Sequence, residues 1–222
     1  MLASPFLSIT NQVEHPKALF VFAHGAGADM QHEFMEKITA YLTDANIRVL
    51  RFNFPYMIKR AEDGKRRPPD RMPKLIESYH AVLKTLDDTL PIFIGGKSMG
   101  GRVAATLISK GLNSEYLTDN VKLAIKGVIC LGYPFHPVKQ LEKLRLEPLQ
   151  KTQKSVLIVQ GDRDALGNQQ EIALYDLSSQ CQFVFLEDGN HDFKPRVKSG
   201  FTQEVHIKSA ANAMVRFINE MC

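Results

Sequence analysis

The feature that most constrains this chain is a set of short, unbroken apolar runs, each followed by a turn or an amphipathic stretch. Residues 18–23 (ALFVFA) carry no polar position at all. Residues 91–95, 126–131, 155–160 and 182–186 are apolar over most of a strand's length, and 47–54 reads as a further strand with Arg48, Arg51 and Asn53 among its apolar residues. A strand that is apolar at every position has no face to give to water, so it belongs in a parallel sheet covered on both sides by helices. The intervening stretches supply those helices. Phe34, Ile38, Tyr41 and Leu42 recur at helical spacing. So do Leu75, Tyr79, Val82, Leu83 and Leu86 within a helix expected over residues 74–87. A further helix is expected over 102–110, and Ile207, Ala211, Met214, Ile218 and Met221 mark the apolar stripe of a last one. The expected fold is α/β, a doubly wound, mostly parallel sheet in a single domain of 222 residues.

In such folds ligands bind beyond the carboxyl ends of the strands. Six loops leave those ends, over residues 24–29, 55–73, 96–101, 133–154, 161–167 and 188–194. Gly96-Lys97-Ser98-Met99-Gly100 is a G-x-S-x-G pattern between an apolar strand and an alanine-rich helix, the strand–turn–helix setting of a nucleophile elbow. A serine hydroxyl is a weak nucleophile and needs a base, which in turn needs an orienting acid. Two later strand ends supply both. Gly161-Asp162-Arg163-Asp164 offers the acid, and Gly189-Asn190-His191 the base. Asp164 is favoured over Asp162, which follows its strand too closely to turn back into the cleft. The other histidines lie on other loops, on helices or near the N-terminus. Donors for a developing oxyanion are expected from the backbone N–H of Met99, at a helix N-terminus, and of Ala26, in the turn after the first central strand.

Charge is local. The chain has 28 basic and 24 acidic residues, a net +4. Residues 55–74 hold seven of the bases (Lys59, Arg60, Lys65, Arg66, Arg67, Arg71, Lys74) and three of the acids, so the remainder is balanced. A local patch points to one anionic partner rather than a phosphate-backbone surface, and no nucleic-acid recognition motif accompanies it. Arg66, Arg67 and Arg71 are candidates to anchor an anionic group on a substrate. The only 22 residues of 133–154 leave room for a minimal lid, and Tyr56, Met57, Pro134 and Phe135 are expected to wall an open cleft. Cys130, Cys181 and Cys222 form no metal or disulfide pattern, and no cofactor or metal is expected. No apolar run approaches the roughly 20 residues of a membrane span, and residues 1–16 lack Lys and Arg. A cytoplasmic protein is therefore the expectation.

Together the His24-Gly25 turn, the GKSMGG elbow and the GDRD and GNHD loops resemble the α/β-hydrolase superfamily over nearly the whole chain. More narrowly, FPYM, RRPPDR, GGKSMGGR and LGYPFHP resemble a compact subgroup that includes the testis-expressed hydrolase-like protein and the NSL-complex subunit, with distant similarity to dienelactone hydrolases. The resemblance implies a Ser98–Asp164–His191 triad. Dienelactone hydrolases carry cysteine where this chain has Ser98. The expected activity is hydrolysis of a small-molecule ester or thioester through an acyl-enzyme. The competing expectation is a non-catalytic module that recruits partners through residues 55–74, as some subgroup members are scaffold subunits.

Overall fold

The computed structural model describes residues 8–86, 90–110 and 118–222. Seven strands form one sheet: β1 (Ser8–Asn11), β2 (Ala18–Ala23), β3 (Ile47–Phe52), β4 (Ile92–Lys97), β5 (Ile125–Leu131), β6 (Ser155–Gly161) and β7 (Cys181–Leu186). Their spatial order is β1-β3-β2-β4-β5-β6-β7. All neighbours are parallel except β1, which pairs antiparallel with β3 from Ser8↔Phe52 to Asn11↔Val49. The six expected strands are the six parallel strands. β2 and β4 lie at the centre and are buried at every position. β1 was not among the expected strands. Its sequence, SITN, alternates exposed and half-buried residues at the sheet edge and is held by main-chain pairing rather than by an apolar run.

Helices cover both faces. On one, α1 (Glu33–Asp44) packs against the last helix of the chain, α8 (Gln203–Asn219). They bury Phe34, Ile38, Leu42, Ile207, Met214 and Phe217 against Phe20, Phe22, Phe93 and Leu131 of the sheet. On the other face lie α3 (Met72–Lys84) and α4 (Met99–Ser109), with Tyr79, Val82, Val103 and Leu107 against Val21, Phe52 and Ile94. Each fully buried side chain of this size contributes about 2–3 kcal/mol before entropy is subtracted. Tyr79 also joins the two central strands. Its hydroxyl accepts from the Gly95 amide at 2.9 Å and donates to the Val21 carbonyl at 2.7 Å. The end of α3 expected at Asp87 lies outside the described residues.

Residues 55–73 depart from the expected loop. They begin with a helix, α2 (Pro55–Asp63), opened by Pro55 and closed by Gly64 in the left-handed conformation. Only Tyr56 and Met57 of its nine residues are buried, so no 3.6-residue apolar stripe advertised it. Three shorter helices, α5 (Asp119–Ala124), α6 (Glu147–Gln150) and α7 (Gln169–Ile172), complete the crossovers. The link from α1 to β3 runs to one side of β2, and that from α3 to β4 to the other. The carboxyl ends of β2 and β4 therefore flank the point where the chain reverses direction across the sheet, the place where such folds open a crevice.

Candidate active site

Ser98 is the residue between β4 and α4, at φ 51° and ψ −113°. A non-glycine side chain in this region costs about 1–2 kcal/mol, and it raises Ser98 out of the strand towards the crevice. The turn closes only because residue 100 lacks a side chain. A Cβ at Gly100 would sit 2.5 Å from the Ala23 carbonyl oxygen and 2.7 Å from that of His24. The elbow is thereby packed directly on the turn that follows β2.

His191, in the loop after β7, accepts from Ser98: Oγ lies 2.8 Å from Nε2. Its other nitrogen, Nδ1, lies 2.7 Å from Oδ2 of Asp164. Asp164 is fully buried and turns back from the end of β6 through its own amide, which donates to the Gly161 carbonyl. Its Oδ1 accepts from the Leu166 amide at 2.8 Å, and its Oδ2 also accepts from Gln160 Nε2 at 2.9 Å. Only a carboxylate can take all three, so Nδ1 carries the imidazole proton and the Nε2 lone pair faces the serine. Asp162 is held elsewhere, its amide donating to Leu186. Ser98, Asp164 and His191 are thus brought together from three different strand ends.

The two candidate oxyanion donors belong to the elbow and to the β2 turn. The Met99 amide opens α4, where first-turn N–H groups have no intrahelical acceptor. Neither it nor the Ala26 amide is spent on a hydrogen bond among the described residues. The Gly25–Ala26 peptide is fixed by its other end. The Gly25 carbonyl accepts from His24 Nδ1 at 2.6 Å and from the Tyr56 hydroxyl at 3.3 Å, and that hydroxyl lies 3.0 Å from the Ala26 carbonyl oxygen. Holding a carbonyl from one side aims the N–H of the same planar peptide to the other. His24 Nε2 accepts from the Phe54 amide at 3.0 Å, so the ring is neutral, and burial pushes its pKa down to about 4.

A cavity of about 680 Å³ opens over Ser98 and His191. Its wall is apolar at Ala28, Phe34, Met35, Leu166 and Ile207, and its rim carries Glu33, Lys37, Asp192 and Lys194. The residues expected to line the cleft are arranged differently. Phe135 is fully buried against Tyr133 and Tyr175, packed under Gly167 of the acid loop. Tyr56 is buried beneath the turn that follows β2. Met57 borders a smaller hollow beside the cavity, with Arg60. Arg66, Arg67 and Arg71 are not part of the cavity lining. Arg67 forms a bidentate pair with Asp63, one turn earlier in α2, and Asp70 takes up the Tyr56 amide and Lys74.

Several supporting groups carried only faint signals in the sequence. Gln160 is the single polar residue in the buried run of β6, and besides Asp164 it braces Tyr133 and Gly167. The His191 loop is anchored from outside. Asp188 accepts from the amide and guanidinium of Arg196, and Arg163 adds a further pair, which holds the Asp188 carboxyl far below its usual range. His206 of α8 bonds the Phe193 carbonyl at 2.9 Å.

Residues 16–219 match the family model of the alpha/beta hydrolase domain, and the chain belongs to that family. Solved structures agree on the fold. Est1E from Butyrivibrio proteoclasticus, solved with ferulic acid bound, superposes with a TM-score of 0.69 at 16% identity, covering 97% of this chain and 95% of its own. A serine hydrolase without a lid from Xanthomonas campestris gives 0.67 at 17%, covering 95% and 88%. A dienelactone hydrolase from Anabaena variabilis gives 0.65 at 17%, covering 96% and 89%.

Proposed function

We propose that the chain is a serine hydrolase that cleaves a small-molecule ester or thioester through an acyl-enzyme. One observation carries this reading: the unbroken relay Asp164–His191–Ser98, with bonds of 2.7 and 2.8 Å. As Ser98 Oγ attacks the acyl carbonyl, its proton passes to His191 Nε2, and Asp164 stabilises the imidazolium without taking the proton itself. The amides of Ala26 and Met99 receive the oxyanion. His191 then protonates the leaving group and afterwards takes a proton from the water that releases the acid. The apolar wall of Phe34, Met35 and Ile207 favours a hydrocarbon group on the substrate. The narrower kinship with the compact testis-expressed and NSL-complex type of hydrolase rests on the sequence segments alone and is likewise our reading.

A fluorophosphonate probe tests the proposal. Ser98 should be labelled covalently, as located by mass spectrometry, and Ser98→Ala should abolish both labelling and turnover of p-nitrophenyl acetate. A folded Ser98→Ala protein that keeps a tenth of the rate, or a wild type inert to the probe, would overturn it. The inert outcome would favour a non-catalytic module.

A further inference from the structure

The residue before the nucleophile is a lysine in a place where lysines are rarely found. Lys97 is the last residue of β4 and is only 8% exposed. Its ammonium donates to the backbone carbonyl of His191 at 2.7 Å, across 94 residues of sequence. It lies beside the contacting rings of Phe34 and Phe193, 5.7 Å from each centroid. The nearest carboxylate, Asp192, is 3.9 Å away and largely exposed. A buried ammonium without a tight counter-ion is costly, and hydrophobic residues of similar volume would ordinarily serve a core better. Its position relative to the imidazole is fixed by Gly132, at φ 67°. A Cβ there would meet Lys97 Nζ at 3.0 Å, the His191 carbonyl oxygen at 3.2 Å and His191 Cε1 at 3.4 Å. The ammonium and the ring therefore face each other across the space a side chain at 132 would fill.

We propose that Lys97 is a positioning residue for the general base. It ties the His191 backbone to the end of the strand that carries Ser98, and its charge stands on the side of the imidazole away from Asp164. The inference rests on the hydrolase reading above. The hydrogen bond ties the loop that carries the base to the residue beside the nucleophile, across the two strands, β5 and β6, that separate β4 from β7. The charge acts against imidazolium, which a cation close by disfavours. Asp164, on the opposite nitrogen of the ring, has the contrary effect. Asp192 on the same loop is solvated, and Glu33, Lys37 and Lys194 lie at the cavity rim. Burial lowers the pKa of Lys97 itself to about 8, so the charge is present at neutral pH.

The test is the pH dependence of kcat/KM, whose acid limb reports the base of the free enzyme. Lys97→Met should lower kcat by about tenfold or more through the lost tether. Its acid limb should move upward by about half to one pH unit, because the opposing charge is gone. Lys97→Gln keeps a donor but not the charge, so it should show the same limb shift with a smaller loss of rate. It carries the comparison if Lys97→Met does not fold. Lys97→Arg keeps the charge, so its limb should stay with the wild type. Superimposable limbs in wild type and the neutral variants, or an Arg limb that moves with theirs, would overturn the proposal. Fluorophosphonate labelling of the wild type at Ser98, run alongside, shows whether the hydrolase reading itself stands.

Discussion

Two regions lie at the same edge of the sheet and treat their polar residues in opposite ways. At the ends of β4, β6 and β7 three charged side chains are met by groups that the fold brings from a distance. Asp164 has three donors, Asp188 gathers Arg163 and Arg196, and Lys97 reaches the His191 carbonyl. Residues 55–74, beyond β3, hold the whole of the chain's excess charge, and four of their ten charged residues meet within the segment. Arg67 pairs with Asp63 and Lys74 with Asp70, each four residues apart. Exposed pairs of that kind are worth at most about 1 kcal/mol. A charge on a long side chain in water needs no partner, and where it has one the pair adds little. A charge at a buried strand end must be met by whatever the fold brings there. Position in the sheet therefore locates the chemistry, and net charge does not.

The largest expected effect tests the claim that neighbouring residues of one loop differ wholly in role. Asp164→Asn should reduce kcat about 10⁴-fold, since an amide in that place favours the wrong imidazole tautomer. Asp162→Asn should cost less than about tenfold, because Asp162 does not touch the ring. Turnover of p-nitrophenyl acetate by both purified variants makes the comparison. A greater loss in Asp162→Asn would move the acid two residues back and break the contrast.

Next comes a stability effect that separates buried from exposed histidines. His24 stays neutral in the folded protein until about pH 4, whereas in the unfolded chain it takes a proton near its ordinary 6.5. Protonation then favours the unfolded state. The contribution of neutral His24 is complete above about pH 6.5 and is lost as pH falls towards 4, by up to about 3 kcal/mol. Urea unfolding of the wild type and of His24→Asn, measured from pH 7 to 4.5, should give curves that converge as the pH drops. Parallel curves would show that the His24 ring is not buried in the neutral form.

The same contrast explains what could be read before the structure. The parallel strands were legible because burial on both faces forces a largely apolar run, and Ser98 and His191 stood out as candidates because they follow such runs at the end of the sheet where ligands bind. β1 and α2 were not. SITN is stabilised by backbone pairing, and α2 hides two buried residues among four exposed and three half-buried ones. Phe135 looked like a cleft wall because its segment leaves a strand end at the crevice. Its ring instead fills the space under Gly167, where it supports the acid loop from below. Gln160 lay at the end of an expected strand and Lys97 in an expected turn, and their partners lie 4 to 94 residues away, so only the fold brings them into contact.

The smallest expected effects concern the basic segment itself, and they sharpen the comparison by setting one of its buried residues against three exposed ones. Tyr56 holds the Gly25 and Ala26 carbonyls from beneath the oxyanion turn. Removing its hydroxyl frees the peptide that aims the Ala26 amide, and a misdirected donor loses part of the 10²–10³-fold worth of an oxyanion contact. Tyr56→Phe should thus lower kcat about tenfold with little change in KM. Arg66→Ala, Arg67→Ala and Arg71→Ala should each leave kcat/KM within about threefold on neutral esters and on carboxylated esters of equal length alike. Their guanidiniums are outside the cavity lining, and long-range attraction between exposed charges is screened within about 8–10 Å at ordinary salt. Steady-state kinetics on a matched neutral and anionic ester pair decides the matter. A selective rise in KM for the anionic ester in any of the three variants would bring residues 55–74 back into substrate recognition, and would mean that their exposed arginines close over the cavity when substrate is bound.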